Sequence, residues 1–341
     1  MRAPGRIDGL DLLRGIAIAL VMGRHAFPAL LPGAGVVGVV MFFTLSGYLI
    51  TGLLTGEATR TGRIDLRRFW LRRAARLLPA LLLLVLGLAV VTLVVDPLDE
   101  RAALPRAVLV ALTYTADIPF DHGSDAVFHL WTLAVEEQFY LVWPFVVALA
   151  WGRLRWRTLL VVAGIASLAA CVAVVVLVAP DVDHAYPLPT TWAVCFVIGA
   201  AARAAAGRWR PFRGAVAVSL ALLAVLSVIP LRGHALTYLA GGSAIAALTA
   251  VLLLAWGSWR TVGADSAIAD AGLRGLVLLG TVSYGAYLWN YPVTLWLRPS
   301  LGEAAGVVAV VVTLALAAVS WRYVEQPVLR RRDRRSAVVV P

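Results

Sequence analysis

The chain has 341 residues and a formal net charge of +11, and 61% of its residues are hydrophobic while only 14% are charged. A soluble domain cannot cover so much apolar surface, so the composition excludes a soluble enzyme and predicts a membrane protein. The basic residues are all arginine and lie at the ends of apolar runs, as in cytoplasmic loops rather than nucleic-acid-binding surfaces. We expect an all-α, polytopic integral membrane helix bundle that forms one domain over residues 1–330, followed by a basic cytoplasmic tail over 331–341.

Ten apolar stretches are long enough to cross a bilayer. We predict transmembrane helices at 8–28, 34–54, 77–95, 130–151, 158–179, 190–206, 214–231, 236–257, 273–297 and 304–323. Six interhelical or terminal segments hold 24 of the 30 arginines, and they share one side of the membrane only if the shorter stretch 104–118 does not cross it. We therefore predict a multi-pass plasma-membrane protein with both termini in the cytoplasm, and 104–118 as a re-entrant or surface segment on the outer side.

The first predicted span carries two ionisable residues, Arg14 in its interior and His25 near its far end. Their separation is close to three helical turns, so both project from nearly the same face, roughly 16 Å apart along the axis. Because an ionisable group at membrane depth normally faces a partner or a wet cavity, one interpretation is a catalytic base with a charged positioning group. The other is that Arg14 pairs with Asp11 and that His25 only caps the helix at the surface.

Glu136 and Glu137 lie in an aromatic, apolar run near the start of the fourth predicted span. The predicted topology places this end of the span on the side where the first span ends, so we expect both carboxylates at the depth of His25. Glu136 would then orient the imidazole, tune its pKa, or bind a sugar hydroxyl. Solvation among lipid headgroups is the alternative for both residues, and it is the stronger interpretation for Glu137.

Two further groups of residues have a binding and a structural interpretation. Arg72, Arg73 and Arg76 follow Arg67 and Arg68 in a basic cluster, which suits a phosphate-bearing ligand such as coenzyme A but also anionic lipid. A polar and aromatic strip in the ninth predicted span either lines a substrate site or forms an interfacial aromatic belt. The predicted substrate-binding residues are Ser46, Trp131, Glu137, Tyr284, Tyr287 and Asn290.

Four stretches of the chain, in order, resemble the membrane-bound acyltransferase family 3. This is a group of O-acyltransferases that modify sugars, lipopolysaccharide O-antigens, peptidoglycan and macrolides. The arginine and histidine of the first stretch are separated by ten residues, as in the family's signature. The matching stretches are Ile7–Ala26, Phe42–Ile50, Phe69–Ala80 and Leu130–Tyr140.

The resemblance implies that His25 is the essential histidine, Arg14 its paired arginine and Glu136 the motif glutamate. It also implies ten core helices and an acyl-coenzyme A donor that binds on the cytoplasmic side near Arg72, Arg73 and Arg76. The chain departs from the family pattern in having threonine at position 132 in place of serine, and Asn290 where histidine is common. Some relatives append an extracytoplasmic esterase-like domain, which is not expected here because the chain ends shortly after the last predicted span.

The sequence therefore predicts an O-acyltransferase that moves an acyl group, with acetyl from acetyl-coenzyme A as the expected case, to a hydroxyl of a carbohydrate or glycosylated small-molecule acceptor. No metal is expected, because the histidines show no ligand spacing. The competing hypothesis is a transporter or exporter of a glycan or lipid-linked substrate, in which Arg14, His25 and Glu136 act in gating or proton relay. The sequence shows no inverted repeat, which favours the enzyme.

Overall fold

The computed structural model describes residues 7–263 and 266–330, and the predicted basic tail at 331–341 lies outside them. The described residues form twelve α-helices with short 3₁₀ and π turns and contain no β-strand. The helices are α1 (Asp8–Ala26), α2 (Ala34–Thr61), α3 (Leu66–Val94), α4 (Leu104–Thr113), α5 (Trp131–Ala150), α6 (Trp156–Val178), α7 (Pro189–Ala205), α8 (Arg213–Ser227), α9 (Gly242–Trp256), α10 (Ala267–Thr281), α11 (Ser283–Leu301) and α12 (Ala305–Ser320).

Six helical stretches of the described chain are long and apolar enough to cross a membrane. They are Ala34–Thr61, Leu66–Val94, Asp125–Ala150, Trp156–Val178, Thr237–Trp256 and Ser283–Arg330, and the last contains both α11 and α12. Helix α1 is long enough but carries two aspartates and two arginines, whereas α7, α8 and α10 have only 17, 15 and 15 residues. An all-helical membrane protein is thus confirmed, while the count of ten spans stays a prediction.

Three predicted segments differ from the observed helices. Helix α3 begins at Leu66 rather than near residue 77, so the basic cluster lies on the helix itself and not before it. The predicted span 273–297 is interrupted at Val282, which separates α10 from α11. The segment 104–118 contains the ten-residue helix α4, whose length of about 15 Å is half the thickness of the hydrocarbon core.

The chain divides into two compact units, and the boundary runs through α5 between Ala134 and Val135. The first unit consists of Met1–Ile64 and Val135–Thr281, and α2 is its central helix because it packs against α1, α7, α8 and α9. In the most apolar part of α2, 72% of the residues are buried, against 11% in α6, which therefore presents its apolar surface outward. The expectation of a single domain over residues 1–330 stays a prediction.

Helices α2 and α7 of the first unit cross at glycine residues, so that their backbones are in direct contact. A Cβ atom on Gly47 would lie 2.0 Å from the Phe196 carbonyl oxygen, and one on Gly199 would lie 2.0 Å from the Thr44 carbonyl oxygen. Small residues let helix backbones approach closely in membranes, where dispersion and polar contacts drive association instead of the hydrophobic effect. Gly47 and Gly199 therefore serve the close packing of α2 against α7.

Two loops of the first unit are joined by an ion pair outside the helices. Arg232 Nη2 and Nε donate to the carboxylate of Asp183 at 2.7 and 2.9 Å, and the Arg232 guanidinium lies 4.6 Å from the centre of the Tyr186 ring. The hydrogen bond from Arg232 lowers the pKa of Asp183, and burial raises the pKa of Tyr186 to about 12. This pair links the α6–α7 connection to the α8–α9 connection.

The second unit consists of Asp65–Ala134 and Val282–Pro341, and within its described residues α11 packs against α12 and α3. The Tyr284 hydroxyl donates to the Leu77 carbonyl oxygen at 3.0 Å, two residues before Pro79 in α3. Gly87 of α3 accommodates the indole of Trp289, because a Cβ atom there would lie 2.3 Å from the ring. These two contacts fix α11 along α3.

The α2–α7 crossing generates a stability prediction. Gly47→Ala is expected to lower the free energy of unfolding by about 1–3 kcal/mol, because the added methyl group overpacks a backbone contact. The matched control is Gly56→Ala on the same helix, where a Cβ atom meets nothing within 4 Å and alanine is favoured by roughly 0.5–1 kcal/mol. Thermal unfolding in detergent measures both changes, and equal melting temperatures for the two variants would contradict the close crossing.

Candidate functional site

Glu136, in the second turn of α5, is half-buried and accepts hydrogen bonds from two hydroxyl groups. Ser46 Oγ on α2 donates to Oε1 at 2.7 Å, and Tyr140 Oη donates to Oε2 at 3.1 Å. The two hydroxyl oxygens lie 3.0 Å apart. We call these three residues the Glu136 cluster; it brings together Ser46 and Glu136, which the sequence predicts for different roles.

Aromatic contacts hold the helices around the Glu136 cluster. Trp143 Nε1 on α5 donates to Thr51 Oγ1 on α2 at 2.9 Å, and the Phe139 ring stacks on Phe196 of α7 with the ring centres 4.3 Å apart. The pairs Ser46–Glu136 and Thr51–Trp143 advance together along the chain, so α2 and α5 run in the same direction. The carboxyl group therefore sits among helices that are fixed in register.

The glycines of α2 show which part of α1 lies beside the Glu136 cluster. A Cβ atom on Gly38 would lie 2.5 Å from the Ala17 carbonyl oxygen, and one on Gly35 would lie 3.2 Å from Arg24, so the two helices are antiparallel. Ser46 lies eleven residues beyond Gly35 on α2, which is roughly 16 Å along the axis. The cluster is thus within a turn of the level of Arg14 and far from the level of His25.

This register corrects the expectation that Glu136 and His25 share one depth. His25 lies in the last turn of α1, half-buried, at the level of Gly35. A direct orienting contact from the Glu136 carboxyl group to the imidazole would have to bridge roughly 16 Å, several times the length of a hydrogen bond. Asp11 and Arg14, both half-buried, are the ionisable residues of α1 nearest in level to the carboxyl group.

Comparison with known protein families matches nearly the whole chain. The sequence profile of the acyltransferase domain, Acyl_transf_3, matches residues 7–322. The chain belongs to this family. The resemblance in the four sequence motifs is therefore confirmed over nearly the whole chain, and the family consists of enzymes that transfer acyl groups.

The chain is similar to curated members of the family. It is 28% identical to an O-acetyltransferase OatA of Staphylococcus aureus, in an alignment that covers 97% of this chain and 58% of that protein. It is 27% identical to a peptidoglycan O-acetyltransferase OatA of Listeria monocytogenes, with 94% of this chain and 56% of that protein covered. The chain thus spans little more than half the length of these relatives, and no solved structure matches it.

A second polar cluster lies in the second unit, around His129. The imidazole Nε2 lies 3.1 Å from the Leu288 carbonyl oxygen, and the ring centres of Tyr287 and Tyr291 lie 5.7 and 5.3 Å from that of His129. The Thr132 hydroxyl donates to Tyr287 Oη at 2.6 Å, and the Tyr287 hydroxyl donates to the His129 carbonyl oxygen at 2.9 Å. Tyr287 and Tyr291 thus lie on the same face of α11, beside His129.

Sequence reasoning did not select His129 or Glu325, although both are buried. His129 directly precedes the matching stretch Leu130–Tyr140. A histidine at the start of an aromatic span was therefore the signal available in the sequence. Glu325 lies in a π turn after α12 and accepts a hydrogen bond from the Ser320 hydroxyl at 2.8 Å. A single carboxylate one turn after the last apolar run carries no comparable signal, because such a residue is usually solvated.

The other predicted site residues differ in burial and in their recorded contacts. Asn290 is buried, and its Nδ2 donates to Thr313 Oγ1 of α12 at 3.4 Å, so it faces α12 rather than the rings that contact His129. Trp131, the first residue of α5, is buried, and Glu137 is half-buried. Arg72, Arg73 and Arg76 are half-buried on α3, where the Arg73 guanidinium lies 5.9 Å from the centre of the Phe69 ring.

The Glu136 cluster generates a coupling prediction. Ser46→Ala and Tyr140→Phe should each lower the free energy of unfolding by about 1–3 kcal/mol, because each removes a hydroxyl that satisfies a carboxyl oxygen. The double variant should deviate from additivity by at least about 0.5 kcal/mol, since both hydroxyls share one acceptor group.

A double-mutant cycle by thermal or denaturant unfolding in detergent measures this coupling. Thr59→Ala is the control on α2, because that exposed hydroxyl bonds the Thr55 carbonyl oxygen of its own helix. Strict additivity of the Ser46 and Tyr140 substitutions would contradict the shared carboxyl group.

Proposed function

We propose that this chain is a membrane O-acyltransferase that moves an acetyl group from acetyl-coenzyme A to a hydroxyl of a cell-wall glycan, with peptidoglycan as the acceptor class. The observation that carries the proposal is the family match over residues 7–322, which includes both Arg14 and His25. The relative from L. monocytogenes is a peptidoglycan O-acetyltransferase, which supports the acceptor class.

In the proposed reaction, His25 acts as the general base. The imidazole removes the proton from the acceptor hydroxyl, whose oxygen forms a bond to the thioester carbonyl carbon. The tetrahedral intermediate then collapses, the carbon–sulfur bond breaks, and the imidazolium returns the proton to the departing thiolate. A neutral histidine suits this role because its ordinary pKa lies near the working pH.

Arg14 and Glu136 have a different role in this proposal from that of His25. Because the Glu136 cluster lies near the level of Arg14, we assign the guanidinium to negative charge on the donor or on the developing oxyanion. Glu136 is then a positioning residue, which holds the Ser46 and Tyr140 hydroxyls beside this path. The thioester of the donor must therefore reach across the roughly 16 Å between this level and His25 to meet the acceptor hydroxyl.

The proposed orientation of the chain in the membrane is based on the distribution of its arginines. Both termini face the cytoplasm, where the donor is made, and His25 faces the outer side, where the glycan lies. Arg72, Arg73 and Arg76 would bind phosphate groups of the donor through charge-assisted hydrogen bonds.

The proposed base predicts the behaviour of His25→Ala. The variant should fold as the wild type does but lose acetyl transfer by about 10²–10⁴-fold, because no group replaces the proton acceptor. Transfer of label from acetyl-coenzyme A to a peptidoglycan fragment measures the rate, and His234→Ala is the control because that histidine is exposed. Wild-type activity in His25→Ala would refute the assignment. Label that is retained without acceptor on the wild-type protein but not on His25→Ala would instead identify His25 as a transient acyl carrier.

The proposed donor site predicts the behaviour of the double variant Arg72→Ala with Arg73→Ala. The apparent KM for acetyl-coenzyme A should rise about tenfold or more, since each lost charge-assisted hydrogen bond contributes about 1.5–3 kcal/mol. The matched control is Arg67→Ala with Arg68→Ala, which removes the same charge from exposed positions of the same helix. An equal KM in both double variants would assign the whole cluster to lipid or to diffuse attraction.

A further inference from the structure

Apart from Arg14 within α1, five arginines lie outside the predicted cytoplasmic segments and face the outer side in the proposed orientation. The positive-inside rule makes such arginines exceptions that need a reason. Three of them have an acidic partner, in the pairs Arg101–Asp96, Arg106–Asp121 and Arg232–Asp183. The other two are Arg24 and Arg298, and no ion pair within residues 7–263 and 266–330 involves either of them.

Arg24 differs from Arg298 in its burial. Arg298 lies in the last turn of α11 and is exposed, so water solvates its charge. Arg24 lies in the last turn of α1 and is half-buried. A charge that is partly removed from water is costly unless an opposite charge compensates it. The carbonyl end of α1 supplies only about half a negative elementary charge, so a further anion would stabilise Arg24.

The beginning of α2 holds the aliphatic stem of Arg24 in place. A Cβ atom on Gly35 would lie 3.2 Å from Arg24 Cγ, so the glycine makes room for the stem. The Gly33 amide donates to the Ser227 carbonyl oxygen at 3.1 Å, and a Cβ atom on Gly33 would lie 3.2 Å from the Leu231 side chain. The end of α8 and the connection after it therefore lie at the same end of the first unit as Arg24.

A second guanidinium group lies at this end, and it is already neutralised. Burial raises the pKa of Tyr186 to about 12, and the positive charges of Arg232 and Arg24 both act against this rise, so both lie near the phenol. Arg232 lies 4.6 Å from the centre of the Tyr186 ring and donates two hydrogen bonds to Asp183, at 2.7 and 2.9 Å. The two arginines and this carboxylate together leave one positive charge.

The other groups of the α6–α7 connection do not compensate Arg24. Asp181 is exposed and lies 3.3 Å from the ring nitrogen of His184. The Tyr238 hydroxyl donates to the Asp183 carboxylate at 3.4 Å and accepts a hydrogen bond from the Gly233 amide at 3.0 Å. The polar groups around Tyr186 are thus used by one another, whereas the charge of Arg24 is left for a ligand.

The position of Arg24 in the chain indicates which ligand this is. Arg24 directly precedes His25, the proposed general base, so a group that binds the guanidinium lies beside the acceptor hydroxyl. The guanidinium fork matches a carboxylate, which it binds through two parallel hydrogen bonds. Peptidoglycan carries free carboxylates on its peptides, close to the hydroxyls of its sugars, so the proposed acceptor class supplies this anion.

We propose that Arg24 is a specificity-determining residue that binds a carboxylate of the acceptor glycan beside His25. The inference rests on the proposed acyl transfer and adds to it a requirement for an anionic acceptor. The phosphate of a lipid headgroup is the competing anion, so the test separates the acceptor from the lipid.

The test combines two acceptors with two variants of the full chain. The acceptors are a soluble muropeptide with free carboxylates and the same muropeptide with its carboxylates amidated. Arg24→Gln removes the half-buried guanidinium, and Arg298→Gln is the matched control, because it removes the same charge from an exposed position in the last turn of a helix. The kcat and KM for acetyl transfer and the Kd of each muropeptide are measured in nanodiscs with and without phosphatidylglycerol.

The wild type should favour the free carboxylate about tenfold or more in KM and Kd, as expected for a charge-assisted hydrogen bond. Arg24→Gln should reduce this preference to about twofold or less and leave kcat largely unchanged, whereas Arg298→Gln should keep the preference. A preference that persists in Arg24→Gln, or that is absent from the wild type, would overturn the inference.

The remaining outcomes separate this inference from the proposed function. A loss in Arg24→Gln that is equal for both acceptors and depends on phosphatidylglycerol would assign Arg24 to lipid and overturn the inference. Acetyl transfer without any preference would overturn the inference and leave the proposed function standing. A preference in Kd that depends on Arg24, without acetyl transfer to either muropeptide, would refute the proposed function and leave the anion site standing.

Discussion

The first unit is organised by one physical constraint: a carboxyl group inside an apolar bundle has to be satisfied by hydrogen bonds. Burial of an unsatisfied polar group costs several kcal/mol, and more in lipid than in a soluble core. Ser46 and Tyr140 meet that need for Glu136, and by doing so they fix how far α5 lies along α2. The parallel register of these helices then brings Trp143 to Thr51. A polar contact thus sets the alignment of largely apolar helices, which dispersion forces alone specify weakly.

Close backbone approach complements this polar constraint. At the α2–α7 crossing the contact consists of glycine against carbonyl oxygen, and the same arrangement recurs where Gly15 of α1 faces Leu276 of α10. Such contacts allow α7 and α10 to pack tightly despite their modest length of 17 and 15 residues. Leucines and valines that remain exposed on α3 and α6 would face lipid, which is the expected environment for them in a membrane protein.

The sequence predicted the helical class, the family and most helix positions because apolar length and charge placement are local properties. It also pointed to Ser46 and Glu136 individually. It did not predict that they meet, because the axial offset between two apolar helices is not encoded in either one. The same limit explains the wrong depth of Glu136 relative to His25. The break at Val282 was missed because the apolar run 273–297 continues through it.

The contact between Trp143 and Trp156 has a practical consequence. Trp156 lines a cavity in the first unit and meets Trp143 edge-on, with the ring centres 6.5 Å apart, while the Trp143 indole donates a hydrogen bond to the Thr51 hydroxyl. Any molecule that enters beside Trp156 changes the polarity around this indole. The other indole of the pair, Trp143, is held in place by its hydrogen bond to Thr51. The protein therefore contains its own optical reporter of occupancy, readable as a change in intrinsic emission without an attached dye.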